Sequence, residues 1–421
     1  MKKQQEPARD ANFCRLVLVS AAIPPVYSGA GHLFYTYAQR LEERGQLAFL
    51  LCLAFEEQSY QCFRPELKEH RIVRLPPEGT ANDRADSFRK FAVKLWRLWF
   101  LFVSVGWVLL RRRSQYDIVH VVSESWVCAF AIFWARILGR RTVYETSLVE
   151  QDDLLTIRQT SGRAKYWMVS HARAFVAISP QLYKLCITAG IKDNEIHLIG
   201  NAVDTNTFHP VDGASKAMLR RKLHLPENDP IILFVGEICH RKGADLLPAI
   251  FRGVLAAFPR ASLVLVGPKG RPGAVNQVAA CIVRELEDYI AAGQVILIGT
   301  VSNVPEYMQA SDIFLFPSRR EGFGTVLVEA MACGLPSIVR NIEGISSFIL
   351  QDGVEGVIVH DENPFAYASS IIRLLSDVAE YRAVSEKARR RVLSAFAAEV
   401  VDSQYRLMYD KLLCRGGSMS S

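Results

Sequence analysis

Residues 313 to 340 read IFLFPSRREGFGTVLVEAMACGLPSIVR. An apolar run, Ile313 to Phe316, passes into a polar turn holding Gly322 and Gly324. A helical stretch follows from Thr325, and a second apolar run covers Ser337 to Val339. Strand, turn, helix, turn and strand in so little chain predict parallel strands joined by a crossover helix.

The same alternation extends outward in both directions. Upstream in this half lie Ile231 to Val235, Leu263 to Val266 and Val295 to Ile298. A polar stretch, NAVDTNTFHPVDG (201–213), interrupts the pattern. Before it come Cys14 to Ser20, Leu47 to Leu53, Ile118 to Val122, Thr142 to Glu145 and Phe175 to Ile178. The expected fold class is α/β: two Rossmann-like, doubly wound parallel-sheet domains in tandem, facing a cleft. Ligands of such sheets sit at the carboxyl ends of the strands. The expected domains are 1–207 and 208–395, with 396–421 as a C-terminal helix crossing back to the first domain and ending in a short flexible tail. With 421 residues, half of them hydrophobic, the chain is long enough for two cores.

Composition narrows the function. The net charge of +7 is spread along the chain and gathers in no basic stripe, which argues against nucleic acid as the partner. Nine cysteines without a C-x-x-C pair indicate neither a disulfide framework nor a zinc site, and a reducing cytosol fits them. No export signal is read near the N-terminus.

Three turns have the chemistry of a phosphate or sugar site. In Glu321-Gly322-Phe323-Gly324, two glycines before the helix from Thr325 let backbone N–H groups approach an anion at the positive end of the helix dipole. Glu321 in the loop and Glu329 about a turn inside the helix both offer carboxylates to paired hydroxyls. The alternative is an ordinary loop and an ordinary helix residue. In FVGEICHRKGAD (234–245), Arg241 and Lys242 between Gly236 and Gly243 suit a diphosphate, or else form a solvated loop. In PPVYSGAG (24–31), Gly29 and Gly31 permit close approach of a ligand. That turn is no full dinucleotide fingerprint, because Phe34 stands where the third glycine belongs.

Taken in order, these motifs resemble a family 4 glycosyltransferase of the GT-B fold (glycosyl transferases group 1). The resemblance rests on SRREGFG (318–324) and EAMACGLP (329–336), with seven residues between Glu321 and Glu329. VAISPQLYKLCITAG (176–190), IGNAVDTNTFHP (199–210) and VGEICHRKG (235–243) add to it. The resemblance implies that Glu321 contacts the donor sugar, Glu329 the nucleotide ribose, and Lys242 the diphosphate. Gly322, Phe323, Gly324, Thr325 and Val326, with Gly236, Gly29 and Gly31, would line the same cleft. The implied reaction retains configuration at the anomeric carbon, and the departing phosphate assists a front-face attack. No Asp-x-Asp occurs, so no metal is expected. No cofactor is expected beyond the donor substrate, a UDP-sugar or GDP-mannose type.

Two departures set limits. Glu237 stands where many members have Arg, which leaves Arg241 to supply the second cation, and Tyr144-Glu145-Thr146 stands where many have His. They motivate the alternative of an inactive nucleotide-sugar-binding or membrane-associated relative. An epimerase or phosphorylase on the same fold lacks the acid/base groups or the cofactor lysine it needs. His120 reads as structural rather than catalytic, and Asp152 and Asp153 either orient an acceptor hydroxyl or are simply solvated, the second reading being preferred.

The acceptor side is marked by one unusual stretch. KLWRLWFLFVSVGWVLLRRR (94–113) has an uninterrupted apolar run of only twelve residues, Trp99 to Leu110, which is short for a bilayer span of roughly 20. Three tryptophans beside basic residues suit a membrane interface, and a core helix with exposed basic ends suits them equally. The interface reading implies a lipid-linked acceptor, peripheral contact with an anionic membrane and a place at its cytoplasmic face.

Overall fold

The computed structural model describes residues 14–21, 29–54, 69–74, 87–270 and 277–414. It divides into two compact units: Met1–Ile178 with Leu182–Ile199 and Tyr405–Ser421, and Ser179–Gln181 with Gly200–Gln404.

The first unit holds seven strands: β1 (Leu16–Ser20), β2 (Leu47–Ala54), β3 (Glu69–Arg74), β4 (Ile118–Val122), β5 (Arg141–Thr146), β6 (Ala174–Ala177) and β7 (Ile196–Leu198). They lie in the order β3-β2-β1-β4-β5-β6-β7, every neighbouring pair parallel. Around the sheet run α1 (Gly29–Glu43), α2 (Ser87–Arg111), α3 (Trp126–Ile137), α4 (Leu154–Thr160) and α5 (Arg163–Ser170). The second unit holds β8 (Ile231–Val235), β9 (Ser262–Val266), β10 (Val295–Gly299), β11 (Ile313–Phe316), β12 (Ser337–Arg340) and β13 (Val357–Val359), in the order β10-β9-β8-β11-β12-β13 and again parallel. Both are doubly wound sheets. Their strand order reverses at β1/β4 and at β8/β11, so the loops leaving these strands diverge and open a crevice at their carboxyl ends.

The central strands are buried on both faces, as continuous apolar runs require. Leu16 through Val19 and Ile231 through Phe234 are all buried. Three strands escape the sequence pattern. β3 holds only two apolar residues in EHRIVR, and β7 and β13 have three residues each. All three lie at sheet edges, where less apolar sequence suffices.

The division at Ile199/Gly200 comes earlier than the 207/208 boundary expected from the polar stretch. That stretch is tied into the second unit. A Cβ on Gly200 would lie 2.8 Å from the Phe323 ring, Val203 forms a bridge with Ala397, and Arg389 donates to the Thr205 and Phe208 carbonyls. The C-terminal helix spans Ala398–Cys414, and its residues from Tyr405 onward group with the first unit. The tail expected after it lies outside the described residues.

Helix α2 combines the two readings offered for its sequence. Leu101, Val105 and Leu109 are buried on one face, and Gly106 sits flush against the indole of Trp134 on α3. That indole is pinned by donation from its Nε1 to the Phe102 carbonyl, 2.9 Å away. The opposite face stays exposed. Phe91–Arg111 is also long and apolar enough to cross a membrane by length and composition. The twelve-residue run understated it, because Lys94 and Arg97 interrupt the apolar sequence without ending the helix.

Gly106 opposes two effects of known size. Alanine gains up to about 1 kcal/mol over glycine in a helix interior. A Cβ here would fall 2.4 Å from the Trp134 ring, and overpacking of that kind costs roughly 1–3 kcal/mol. Gly106→Ala is therefore expected to lower the denaturant midpoint, and a rise would show that Trp134 yields freely.

Candidate functional site

The site is assembled at the carboxyl ends of β8 and β11. The β8 loop carries Gly236, Arg241, Lys242 and Gly243; the β11 loop carries Ser318 through Gly324 and enters the helix Thr325–Ala332. The two loops touch backbone to backbone. Gly243 has φ +68°, and a Cβ there would lie 2.1 Å from the Pro317 carbonyl oxygen. Gly267, after β9, has φ +141°, and its Cβ would fall 2.0 Å from the Gly236 carbonyl oxygen. Only glycine fits either place.

This contact brings three charged groups together. Lys242 Nζ donates to Glu321 Oε1 at 2.6 Å, and Arg241 Nη1 lies 3.6 Å from Glu321 Oε2. Glu321 is buried. The stem of Lys242 passes over Gly236, 3.6 Å from where a Cβ would stand, and its ammonium lies over the Phe316 ring. A carboxylate taken out of water needs such partners to offset its lost hydration.

The helix start is built as an anion seat. Gly324, the N-cap, has φ +101° and lends no side-chain cap; the Leu327 amide donates to the Gly324 carbonyl, which leaves the Thr325 and Val326 amides for an outside acceptor. Thr325 Oγ1 is oriented by donation from Asn201 Nδ2 at 2.9 Å. Gly322 sits in the turn, and Val326 is half-buried. Phe323 is placed differently from the glycines around it. Its ring is 2% exposed and packs edge-on against Phe348 and Phe396, so the side chain anchors the loop and leaves only its backbone to a ligand.

Glu329 lies on the same helix, half-buried, with no hydrogen bond or ion pair to its carboxyl among the described residues. Burial alone pushes that carboxyl up from 4.5 to about 8. A carboxyl with no partner inside the protein is suited to hydroxyls brought from outside it.

One residue escaped the sequence reading although it sits inside the SRREGFG segment. Arg319 donates to Asp245 at 2.6 and 2.8 Å, to Glu362 at 2.9 and 3.0 Å and to the His240 carbonyl at 2.7 Å. Arg340 also pairs with Glu362. These cations draw the Glu362 carboxyl down to about 2. Arg319 thus rivets the β8 loop to the β11 loop. Its run of like charge with Arg320 concealed a fully paired side chain.

In the first unit, Gly29 and Gly31 form the first turn of α1, where a loop was expected. Pro24 to Ser28 lie outside the described residues. His120 is fully buried, its Nδ1 2.7 Å from the Tyr409 hydroxyl and its Nε2 3.2 Å from Glu145 Oε2 without hydrogen-bond geometry. Glu145 also accepts from the Tyr405 hydroxyl at 2.7 Å. Both side chains are held by their own unit. Asp152 and Asp153 were read as solvated; both are buried. Asp152 accepts from the Ser147 and Leu148 amides, and Asp153 caps α4 through the Thr156 amide. They shape the loop after β5, and burial raises the Asp152 carboxyl to about 7.

The comparisons with known proteins fall on the same two halves. Residues 215–391 match the family model for glycosyl transferases group 1, and residues 27–207 match that for glycosyltransferase family 4. A D-inositol 3-phosphate glycosyltransferase of Xylanimonas cellulosilytica is 33% identical over 195 residues, 44% of each chain. The chain spans about half the length of the first such relatives it matches. The N-acetyl-alpha-D-glucosaminyl L-malate synthase of Bacillus anthracis is 25% identical over 305 residues, covering 72% of this chain and 76% of that one. Among solved structures, HepE of Anabaena in complex with UDP-glucose superposes with a TM-score of 0.72 at 18% identity, over 94% of this chain and 99% of that one. Two matched family halves, two doubly wound units and that likeness of fold agree: the chain belongs to the family 4 (group 1) glycosyltransferases of GT-B fold.

Proposed function

We propose that the chain moves a sugar from a nucleoside diphosphate sugar to an acceptor hydroxyl with retention of configuration. The observation that carries this reading is the grouping of Lys242, Arg241 and Glu321 beside an uncapped helix start, with the partnerless Glu329 on the same helix. A nucleoside diphosphate sugar presents matching groups in the same sequence: ribose diol, diphosphate, sugar hydroxyls. In this reading Glu329 accepts from the ribose hydroxyls. Lys242 and Arg241 exchange part of their hold on Glu321 for the diphosphate, and the first-turn amides receive its other oxygens. Glu321 is thereby freed to accept from the sugar. As the bond to the anomeric carbon lengthens, negative charge grows on the departing phosphate where these cations already stand. The UDP-glucose held by the Anabaena neighbour supports a uridine nucleotide as the first donor to try.

The acceptor is proposed to be a sugar or lipid-linked hydroxyl presented at the cytoplasmic face of a membrane, which the exposed face of α2 supports. The inactive alternative draws on Glu145, held by Tyr405 where an acidic or basic catalyst would need to be free. Turnover separates the two. Purified protein incubated with a panel of nucleotide sugars and detergent-solubilised membrane lipids is expected to release nucleoside diphosphate, and no release from any donor would favour the alternative.

Glu329 would take two ribose hydroxyls, each hydrogen bond contributing roughly 0.5–1.5 kcal/mol, so Glu329→Ala is expected to weaken nucleoside diphosphate binding by about fivefold to a hundredfold in calorimetry. Lys242→Ala weakens it too. Glu321→Gln slows transfer more than it weakens the same binding. Unchanged affinity and rate in all three variants would remove the site.

The Glu329 carboxyl also sets a pH dependence. With its folded value raised to about 8 from 4.5, the folded chain holds a proton that the unfolded chain has released, so stability falls as pH rises between those values. Glu329→Gln removes the fall. Its melting temperature is expected to exceed the parent's above about 8 and to equal it below 4.5. A constant difference at all pH values would assign the effect to packing.

A further inference from the structure

Among the described residues, the outer face of α2 has no partner in its own unit. Leu95, Trp99, Val103 and Trp107 follow one another at four-residue steps, which places them in a row along one side of a helix. Trp99 and Trp107 are each 60% exposed, while Leu101, Val105 and Leu109 on the far side are buried. Soluble surfaces rarely show tryptophans in such a row. The helix ends at Arg111, with Arg112 and Arg113 directly after it and the Arg111 guanidinium over the Trp107 ring.

A second feature adjoins that end. A pocket of about 400 Å³ opens at the amino edge of β5 and β6, lined by Arg136, Arg140, Arg141, His171 and Arg173, with Glu195 as the acid among its lining residues. It reaches the segment just after α2 through Arg140, which donates to the Arg113 carbonyl. The joining surface is apolar, with exposed Ile137 on α3 and exposed Trp167 on α5. Some of the positive charge is engaged within the unit. Arg136 donates to the His171 carbonyl, and Arg173 lies 3.9 Å from Glu195. Arg141 makes no side-chain hydrogen bond or ion pair among the described residues and faces the pocket as a free cation. Cations also offset the carbonyl ends of α3 and α5, which converge here. That role accounts for Arg136, but one acid is too few for the remaining charge.

We propose that this face of the first unit is a docking surface for an anionic bilayer. The tryptophan row enters the headgroup boundary, and the arginine pocket receives a lipid phosphate. The occupant is a membrane because the two features suit its two layers. Indole rings favour the boundary between hydrocarbon and water, and arginines beside them match anionic headgroups. A second copy of this chain, itself of net charge +7, offers no such complement. The inference deepens the membrane contact proposed above and is independent of the donor site, whose residues lie in the second unit.

The test is vesicle flotation of the full chain with phosphatidylcholine alone and with added phosphatidylglycerol. The chain is expected to float with the anionic vesicles and to remain at the bottom with the neutral ones. Each basic residue near the surface contributes enough that Arg141→Ala with Arg173→Ala is expected to lower partitioning roughly thirtyfold. Trp99→Ser with Trp107→Ser should abolish flotation at the same lipid concentration. Equal flotation with both vesicle types would overturn the pocket's part, and no flotation would overturn the whole. A parent chain that self-associates, and is made monomeric by the tryptophan substitutions, would assign the face to a second copy instead. Nucleoside diphosphate binding is expected to be unchanged in both double variants, so failure of the surface and failure of the donor site read out separately.

Discussion

Two loops meet backbone to backbone where the strand order of the second sheet reverses, and the proposed donor site depends on that contact. Gly243 can lie against the Pro317 carbonyl only without a side chain and at a positive φ. A larger residue there would push the β8 loop from the β11 loop and separate Lys242 from Glu321. Arg319 secures the same junction from outside, through Asp245, Glu362 and the His240 carbonyl. The site is thus positioned by backbone packing and an ion network, with the groups that meet the donor free to exchange partners.

That freedom has an electrostatic basis. Glu321 is buried with Lys242 and Arg241 beside it. The carboxyl of half-buried Glu329 has no such partner among the described residues, and desolvation holds it toward its neutral form. Two carboxylates on one loop and helix have been set in opposite environments. The loop's remaining bulk, Phe323, is turned into an aromatic cluster with Phe348 and Phe396, which anchors the loop.

Sequence pattern revealed the sheets because central parallel strands are apolar throughout, as in Ile231 to Val235 and Ile313 to Phe316. It missed β3, β7 and β13, edge strands whose pairing on one side demands little hydrophobicity. Glu321, Lys242 and the glycine turn were legible because charged residues and glycines cluster at the ends of those strands. Arg319 was not, since the partners that fix it, Asp245 and Glu362, lie 74 and 43 residues away. Asp152 and Asp153 misled for a related reason: acidic residues after a strand look solvated unless the amides they accept from are known. Helix α2 offered both of its faces in sequence, and only packing against Trp134 showed which one the fold uses.

The central claim is that Lys242, Glu321 and Glu329 divide one nucleoside diphosphate sugar among them. A crystal structure of the chain soaked with a nucleoside diphosphate tests it most directly. The account predicts Lys242 Nζ within about 3.2 Å of a phosphate oxygen, and both ribose hydroxyls within the same distance of the Glu329 carboxylate. A nucleotide bound elsewhere, or one whose ribose avoids Glu329 while Lys242 stays on Glu321, would contradict it.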